Sequence, residues 1–208
     1  MTEYVLHNRR GSGGFAVEAA LAMAGADFRL ADIDAPVSTP LPDSFRAINP
    51  WKQVPVLDLP DDTRMTETAA MLIHIADAFP AAGIAPAPES PDRAQFLRWI
   101  AFLATNVYES VLRRVYPERY TDDPSGTGAV ASAATRRGME ALRVVEDAIG
   151  LHGVLLGEQL SVADVYLAML HRWVDKREEL PRCTALRRSV ARDEVVGPVW
   201  RRHFERQG

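Results

Sequence analysis

The chain has 208 residues, of which 47% are hydrophobic and 25% charged, with a formal net charge of −4 and a single cysteine, Cys183. That length suffices to bury a real core in one large or two modest domains, and the charge gives no whole-chain attraction to nucleic acid or to an anionic membrane. One cysteine excludes an internal disulfide and any cysteine-rich metal site, and no apolar run approaches the roughly 18 residues that spanning a bilayer requires.

Met1-Thr2-Glu3-Tyr4 lacks the basic-then-apolar run of a secretion signal, so a soluble, cytoplasmic protein is expected. Arginine pairs at Arg113-Arg114, Arg136-Arg137, Arg187-Arg188 and Arg201-Arg202 have acidic or apolar neighbours and read as solvated helix faces. His152, His171, His203 and Cys183 have no partners at ligand spacing, so no metal is assigned, and nothing around Cys183 would activate its thiol.

Residues 1 to 79 alternate strand-like and helix-like pieces. Tyr4-Val5-Leu6-His7 is a short strand, followed by the glycine-rich Gly11-Ser12-Gly13-Gly14. Phe15 to Ala24 is a helix whose only charge is Glu18, which predicts burial on several sides, and Gly25 sits where a C-cap belongs. Phe28 to Ile33 alternates with period two and reads as a second strand. Asp34 to Ser44, with Pro36, Pro40 and Pro42, is a loop. Val54 to Leu59 and Arg64-Met65 flank Pro60-Asp61-Asp62-Thr63 as a hairpin, and Glu67 to Phe79 has helical spacing. Such an order makes a small α/β layer with mixed strands.

A linker follows at residues 80–91, where Pro80, Pro86, Pro88 and Pro91 stop helices and mark a boundary. Residues 92–208 then read as all-helical. Phe96, Trp99, Leu103 and Val107 share one face of a helix from Arg93 to about Tyr116, and Met139, Leu142, Val145 and Ile149 repeat that spacing. Thr121 to Gly128 reads as a mobile loop. Ser161 and Asp164 make a variant capping box at the start of an apolar helix, with Gly157 just upstream.

Two segments carry chemistry. Asn49-Pro50-Trp51-Lys52-Gln53-Val54-Pro55-Val56-Leu57 is a turn leading into a short apolar strand with a proline at its head, and Thr66-Glu67-Thr68-Ala69-Ala70 is the acidic, hydroxyl-bearing start of a helix. Together they suit a site that pairs with a peptide backbone and then holds its charged amino-acid end. An isolated Thr-Glu-Thr would be read as a helix cap and no more.

These two segments, the capping box at Ser161 and Asp164, and the overall layout resemble the cytosolic glutathione transferases, bacterial members included, over essentially the whole chain. The resemblance implies a thioredoxin-like N-terminal domain (βαβαββα), a helical-bundle C-terminal domain, a homodimer, and glutathione as co-substrate. It implies a cis bond before Pro55, which costs an X–Pro pair only about 0.5–1 kcal/mol. The N–H and C=O of Val54 would then pair with glutathione like an added strand. Gln53 would supply an amide, Lys52 would meet the glycyl carboxylate, Glu67 the γ-glutamyl ammonium, and Thr68 its carboxylate at a helix N-terminus. Trp51 would be an exposed aromatic at a subunit contact.

The implied chemistry is a thiolate attacking an electrophilic carbon or reducing a peroxide. A thiol of pKa about 8.5 must be lowered by about two units, roughly 2.7 kcal/mol of anion stabilisation. One hydrogen bond to a charged group gives about 1.5–3 kcal/mol. Family members place a tyrosine, serine or cysteine after the first strand. Aligning on Ala24-Gly25 puts Gly13 at the cysteine position and Gly11 at the serine position, which leaves Ser12 as the hydroxyl of the loop. The donor is therefore Ser12, or the backbone N–H groups from Gly11 to Phe15, or there is none. His7 reads as a core strand residue, whereas Arg9 and Arg10 either attract carboxylates or end a solvated strand. Tyr108, Leu112 and Tyr116, at i, i+4 and i+8, would line an apolar pocket for the second substrate or belong to plain core. Two other functions stay open: a weakly catalytic or non-catalytic scaffold of the same fold, and a glutathione-dependent disulfide reductase.

Overall fold

The structure, a computed structural model, describes residues 3–174 and 177–205. It divides into two compact units, one formed by residues 1–88 together with 191–208 and the other by residues 89–190.

The first unit is built on a four-stranded sheet in the order β2-β1-β3-β4. β1 (Tyr4–Asn8) lies parallel to β2 (Phe28–Asp32) and antiparallel to β3 (Val56–Asp58), and β3 pairs antiparallel with β4 (Arg64–Met65). The register sets Leu6 opposite both Leu30 and Leu57. A parallel β1–β2 pair needs a crossover, and α1 (Gly14–Ala24) provides it. Gly25 closes that helix in the left-handed conformation that glycine adopts without steric cost. From Gly14 to Leu21 every residue of α1 is buried, Glu18 included, because α2 (Thr68–Ala78) and α8 (Val196–Phe204) both pack against it.

The proline-rich stretch after β2 leads into a five-residue 3-10 turn at Asp43–Ala47, which stands where a second helix would complete the thioredoxin-like order. Its Phe45 packs with Leu41 and Val56 in a small cluster ringed by Ile33, Ile48 and Val54. This cluster fixes the segment that leads to Pro55.

The second unit is helical among its described residues. α3 (Arg93–Phe102) runs through a π-helical stretch at Leu103–Tyr108 into α4 (Glu109–Val115), followed by α5 (Thr127–Ala148), α6 (Val162–Arg172) and α7 (Pro181–Arg192). The face carrying Phe96, Trp99, Leu103 and Val107 is buried, although the wider π turn interrupts its α-helical spacing. α4 packs along α5, where a β-carbon on Gly138 would come within 3.1 Å of Ser110 Cβ. Thr121 to Gly128, expected to be a loop, carries a 3-10 turn at Pro124–Gly126 and the start of α5, and the Asp123 carboxylate accepts from the Ser125 N–H at 2.9 Å.

At α6 the Asp164 carboxylate is fully buried and accepts from the N–H of Ser161 at 2.8 Å, from its hydroxyl at 2.7 Å, and from Leu155 N–H at 2.8 Å. One side chain thereby ties the helix start to the turn before it. Burial pushes the Asp164 carboxyl up, against the pull of those donors. No described helix is long and apolar enough to cross a membrane.

Candidate active site in the first unit

The turn from Asn49 to Gln53 is organised by a buried asparagine. Asn49 Nδ2 donates to Gln53 C=O at 2.8 Å, its Oδ1 accepts from Trp51 N–H at 2.9 Å, and its C=O accepts from Lys52 N–H at 2.8 Å. Trp51 is thereby held 74% exposed. Lys52, at a φ of 52°, places its ammonium 2.7 Å from Asp43 Oδ1. The Val54–Pro55 bond is cis. Among the described residues the N–H and C=O of Val54 take part in no backbone hydrogen bond, so both stand free beside β3. The Gln53 side chain is exposed.

Glu67 lies at the N-terminus of α2 with φ 67° and ψ 104°, a conformation that disfavours any residue with a β-carbon. Its C=O accepts from Met71 N–H, but its carboxylate caps nothing. Thr68, buried, opens the helix. An exposed carboxylate in a strained backbone setting thus lies beside the N–H groups of a helix start, offering an anion and main-chain donors side by side.

The loop between β1 and α1 is held almost completely by internal bonds. Ser12 N–H donates to Arg9 C=O at 3.1 Å, Phe15 N–H to Ser12 C=O at 3.2 Å, and Gly14 N–H to Ser12 Oγ at 3.2 Å. Ser12 Oγ itself donates to Asn8 Oδ1 over a long 3.3 Å. Gly11, at φ 77°, donates its N–H to His203 Nδ1 at 3.1 Å. Of the five N–H groups from Gly11 to Phe15, only that of Gly13 has no partner among the described residues.

Behind the loop lies a buried polar cluster. Glu18, 4% exposed, accepts from Arg202 Nε at 2.8 Å and from Arg202 Nη2, and stands 3.0 Å from His203 Nε2. Arg202 Nη1 reaches on to Asp32 Oδ2 at 2.8 Å. Asn8, fully buried, donates to Glu18 at 3.3 Å and accepts the Arg9 N–H at 2.7 Å. Burial alone would push the Glu18 carboxyl up. Hydrogen bonds from His203 and Arg202, together with the Arg202 charge, outweigh it and hold that carboxyl below its ordinary range.

Arg9 is neither a solvated strand end nor a free cation. It is 4% exposed, and its Nη1 donates to the C=O groups of Pro36 at 3.1 Å and Thr39 at 2.6 Å, pinning the proline loop. His7 meets Asp58 Oδ2 at 2.9 Å, and Asp58 also pairs with Arg64. Burial raises the Asp58 carboxyl, but those two partners bring it below the usual value.

Ser12, Val54, Glu67 and Thr68 thus all belong to the first unit, whereas Tyr108, Leu112 and Tyr116 lie in the second. Tyr108 makes ring contacts with Tyr166 and Trp173, and Tyr116 falls just past the end of α4, its ring under the Arg119 guanidinium. Cys183 is buried, and burial together with the Glu146 carboxylate pushes its thiol well above the ordinary value. Among the described residues no group of three or more His, Cys, Asp or Glu is placed to hold a metal. The Asn8, Glu18, Arg202 and His203 cluster joins positions too far apart in the chain to be read from local pattern. Its signal was present in Glu18, a lone acid in an apolar helix that requires a cation from elsewhere.

Residues 15–78 match the family described as glutathione S-transferase, N-terminal domain. Among curated proteins, the chain is 30% identical over 129 residues to the uncharacterized GST-like protein YncG of Escherichia coli K12. That match covers 62% of this chain and 61% of YncG, less than two thirds of the relative's length. It is 27% identical over 173 residues to the glutathione S-transferase GstA of Escherichia coli O157:H7, covering 81% of each. Among solved structures, a glutathione transferase homologue from Sulfitobacter with bound glutathione superposes with a TM-score of 0.85 at 26% identity, over 96% of this chain and 97% of that one. A sphingomonad glutathione S-transferase complexed with glutathione gives 0.79 at 27% identity, over 94% and 96%. The thioredoxin-like sheet, the Val54–Pro55 turn and these matches agree: residues 15–78 carry a glutathione S-transferase N-terminal domain, and the chain is similar along most of its length to glutathione S-transferases.

Proposed function

We propose that the protein is a glutathione transferase that works as a cytoplasmic homodimer and activates the glutathione thiol for attack on an apolar electrophile or a peroxide. The observation that carries this reading is the free N–H and C=O of Val54. They present one donor and one acceptor just ahead of β3, as pairing with a peptide backbone requires. Glu67 then takes the γ-glutamyl ammonium, and Thr68 with the first N–H groups of α2 takes the carboxylate. Gln53 lies beside them, and Lys52, shared with Asp43, serves the glycyl end. Trp51, on the surface, is the apolar group we assign to the subunit contact. Tyr108, Leu112 and Tyr116 are assigned to the second substrate.

The sulfur is activated by the β1–α1 loop. Ser12 is the side-chain donor, its long bond to Asn8 readily exchanged for a thiolate, and the free Gly13 N–H is the backbone donor. Each supplies a charge-assisted bond worth about 1.5–3 kcal/mol, so either alone is nearly enough for a two-unit shift.

Millimolar glutathione should raise the melting temperature, because a ligand of the native state stabilises it. Conjugation of a generic aromatic electrophile is then compared between the parent and Ser12→Ala. A loss of about a hundredfold assigns the hydroxyl, whereas an unchanged rate assigns Gly13. Absence of any glutathione-dependent thermal shift sinks the transferase reading and leaves a scaffold of the same fold.

A further inference from the structure

We propose that His203, far from the expected ligand contacts in sequence, is a positioning residue that holds the sulfur-facing loop in place through the hydrogen bond from Gly11 N–H to its Nδ1. The inference rests on the transferase reading for its catalytic consequence, but the contact stands on its own geometry.

A backbone N–H can only donate, so Nδ1, 3.1 Å from Gly11 N, must be the bare nitrogen of the ring. A neutral imidazole then carries its proton on Nε2, and the acceptor facing Nε2 is Glu18 Oε2 at 3.0 Å. Asn8 Nδ2 and Arg202 Nη2 also approach Nε2, at 3.4 and 3.1 Å. Both are donors and cannot take that proton, so Glu18 fixes the tautomer. The ring itself is locked by packing. Its side chain has no solvent exposure, Phe15 crosses it edge to face at a centroid distance of 5.5 Å, and Phe204 tilts against it at 5.8 Å. One imidazole therefore joins a buried carboxylate on α1 to a main-chain donor in the loop before α1, from a helix at the other end of the chain.

The consequence is steric and directional. Gly11 sits at φ 77°, where a free loop has many alternatives. Holding its N–H rearward orients the following peptides, which leaves Gly13 N–H as the unpaired donor and sets Ser12 Oγ between Asn8 and Gly14. Without the acceptor, Gly11 is free to turn and the donors lose their aim.

The test exploits the two ring nitrogens separately. Asparagine places an oxygen near the position of Nδ1, glutamine places an amide near Nε2, and phenylalanine keeps only the ring. His203→Asn should retain slow exchange of the Gly11 amide and near-parent turnover. His203→Gln and His203→Phe should lose the amide protection, and their kcat should fall about ten- to a hundredfold with little change in the KM for glutathione. Equal behaviour of the asparagine and glutamine variants at a temperature where both are folded overturns the positioning role and leaves the transferase reading intact. Should all three variants unfold, nitrogen NMR of the wild type decides: a bare Nδ1 and a protonated Nε2 are expected, and the opposite tautomer overturns the proposal. If glutathione does not bind the parent protein, the transferase reading falls, and the Gly11 amide still reports whether His203 holds the loop.

Discussion

A β-carbon added to Gly14 would lie 1.8 Å from Asn8 Oδ1 and 2.5 Å from its Cγ. Asn8 cannot yield, since it is fully buried and bonded to Arg9, Ser12 and Glu18. Gly14→Ala should therefore lower the unfolding free energy by about 1–3 kcal/mol in denaturant titration. In an Asn8→Ala background the same change should cost distinctly less, giving a coupling of about 1 kcal/mol or more. Additive costs would show that the two residues do not press on each other.

Glu18 makes the stability acid-sensitive in a definite direction. Its folded pKa lies below the unfolded value of about 4.3. Its contribution is therefore complete above that value and is lost as pH falls through the folded pKa. Glu18→Gln should cost about 3 kcal/mol near neutrality, because Arg202 and His203 lose their anion. It should also flatten the fall in stability from about pH 5 to about pH 3. A mutant profile as steep as the parent's would move the acid sensitivity to other carboxylates, with Asp58, also lowered, as the first candidate.

Glu67 opposes stability to binding. Relief of its left-handed backbone by Glu67→Gly should raise the unfolding free energy by about 1 kcal/mol. The same change should weaken glutathione by about tenfold or more, the loss of one charge-assisted contact of about 1.5–3 kcal/mol. Calorimetry and a melting curve on a single sample check both. Unaltered affinity would remove Glu67 from the site.

Asp164 should matter for folding alone. Asp164→Ala leaves the N–H groups of Ser161 and Leu155 buried without their acceptor. The expected loss is about 2–6 kcal/mol, roughly 1–3 for each orphaned donor. Turnover per folded molecule should stay near the parent's, and a selective fall in kcat would contradict a purely structural role.

The thioredoxin-like half was legible because its signals are local. Period two gave β2, the charge-poor run gave α1, Gly25 gave its stop, and the proline and aspartate cluster gave the β3–β4 turn. Helix ends moved by a residue, and the strand expected from Val54 begins at Val56 because the chain is still turning at Pro55. The π stretch at Leu103–Tyr108 left no trace, since apolar residues there serve either winding. What could not be read was long-range pairing. Glu18 and Arg202 are 184 positions apart, and the spacing of Val199, Trp200 and His203 shows that α8 buries one face without showing against what. The role of Arg9 is hidden for a related reason, because its acceptors are main-chain carbonyls that carry no sequence signature.

Because α8 completes the unit that β1 begins, the ribosome must emit the whole helical insert of residues 89–190 before that unit has all its parts. Until then the α1 carboxylate has no cation to neutralise it, and closing so long a span is slow compared with the local helix pairs that can form meanwhile. The nascent N-terminal segment therefore lacks both α8 and the Arg202 guanidinium until the residues after the helical insert have emerged.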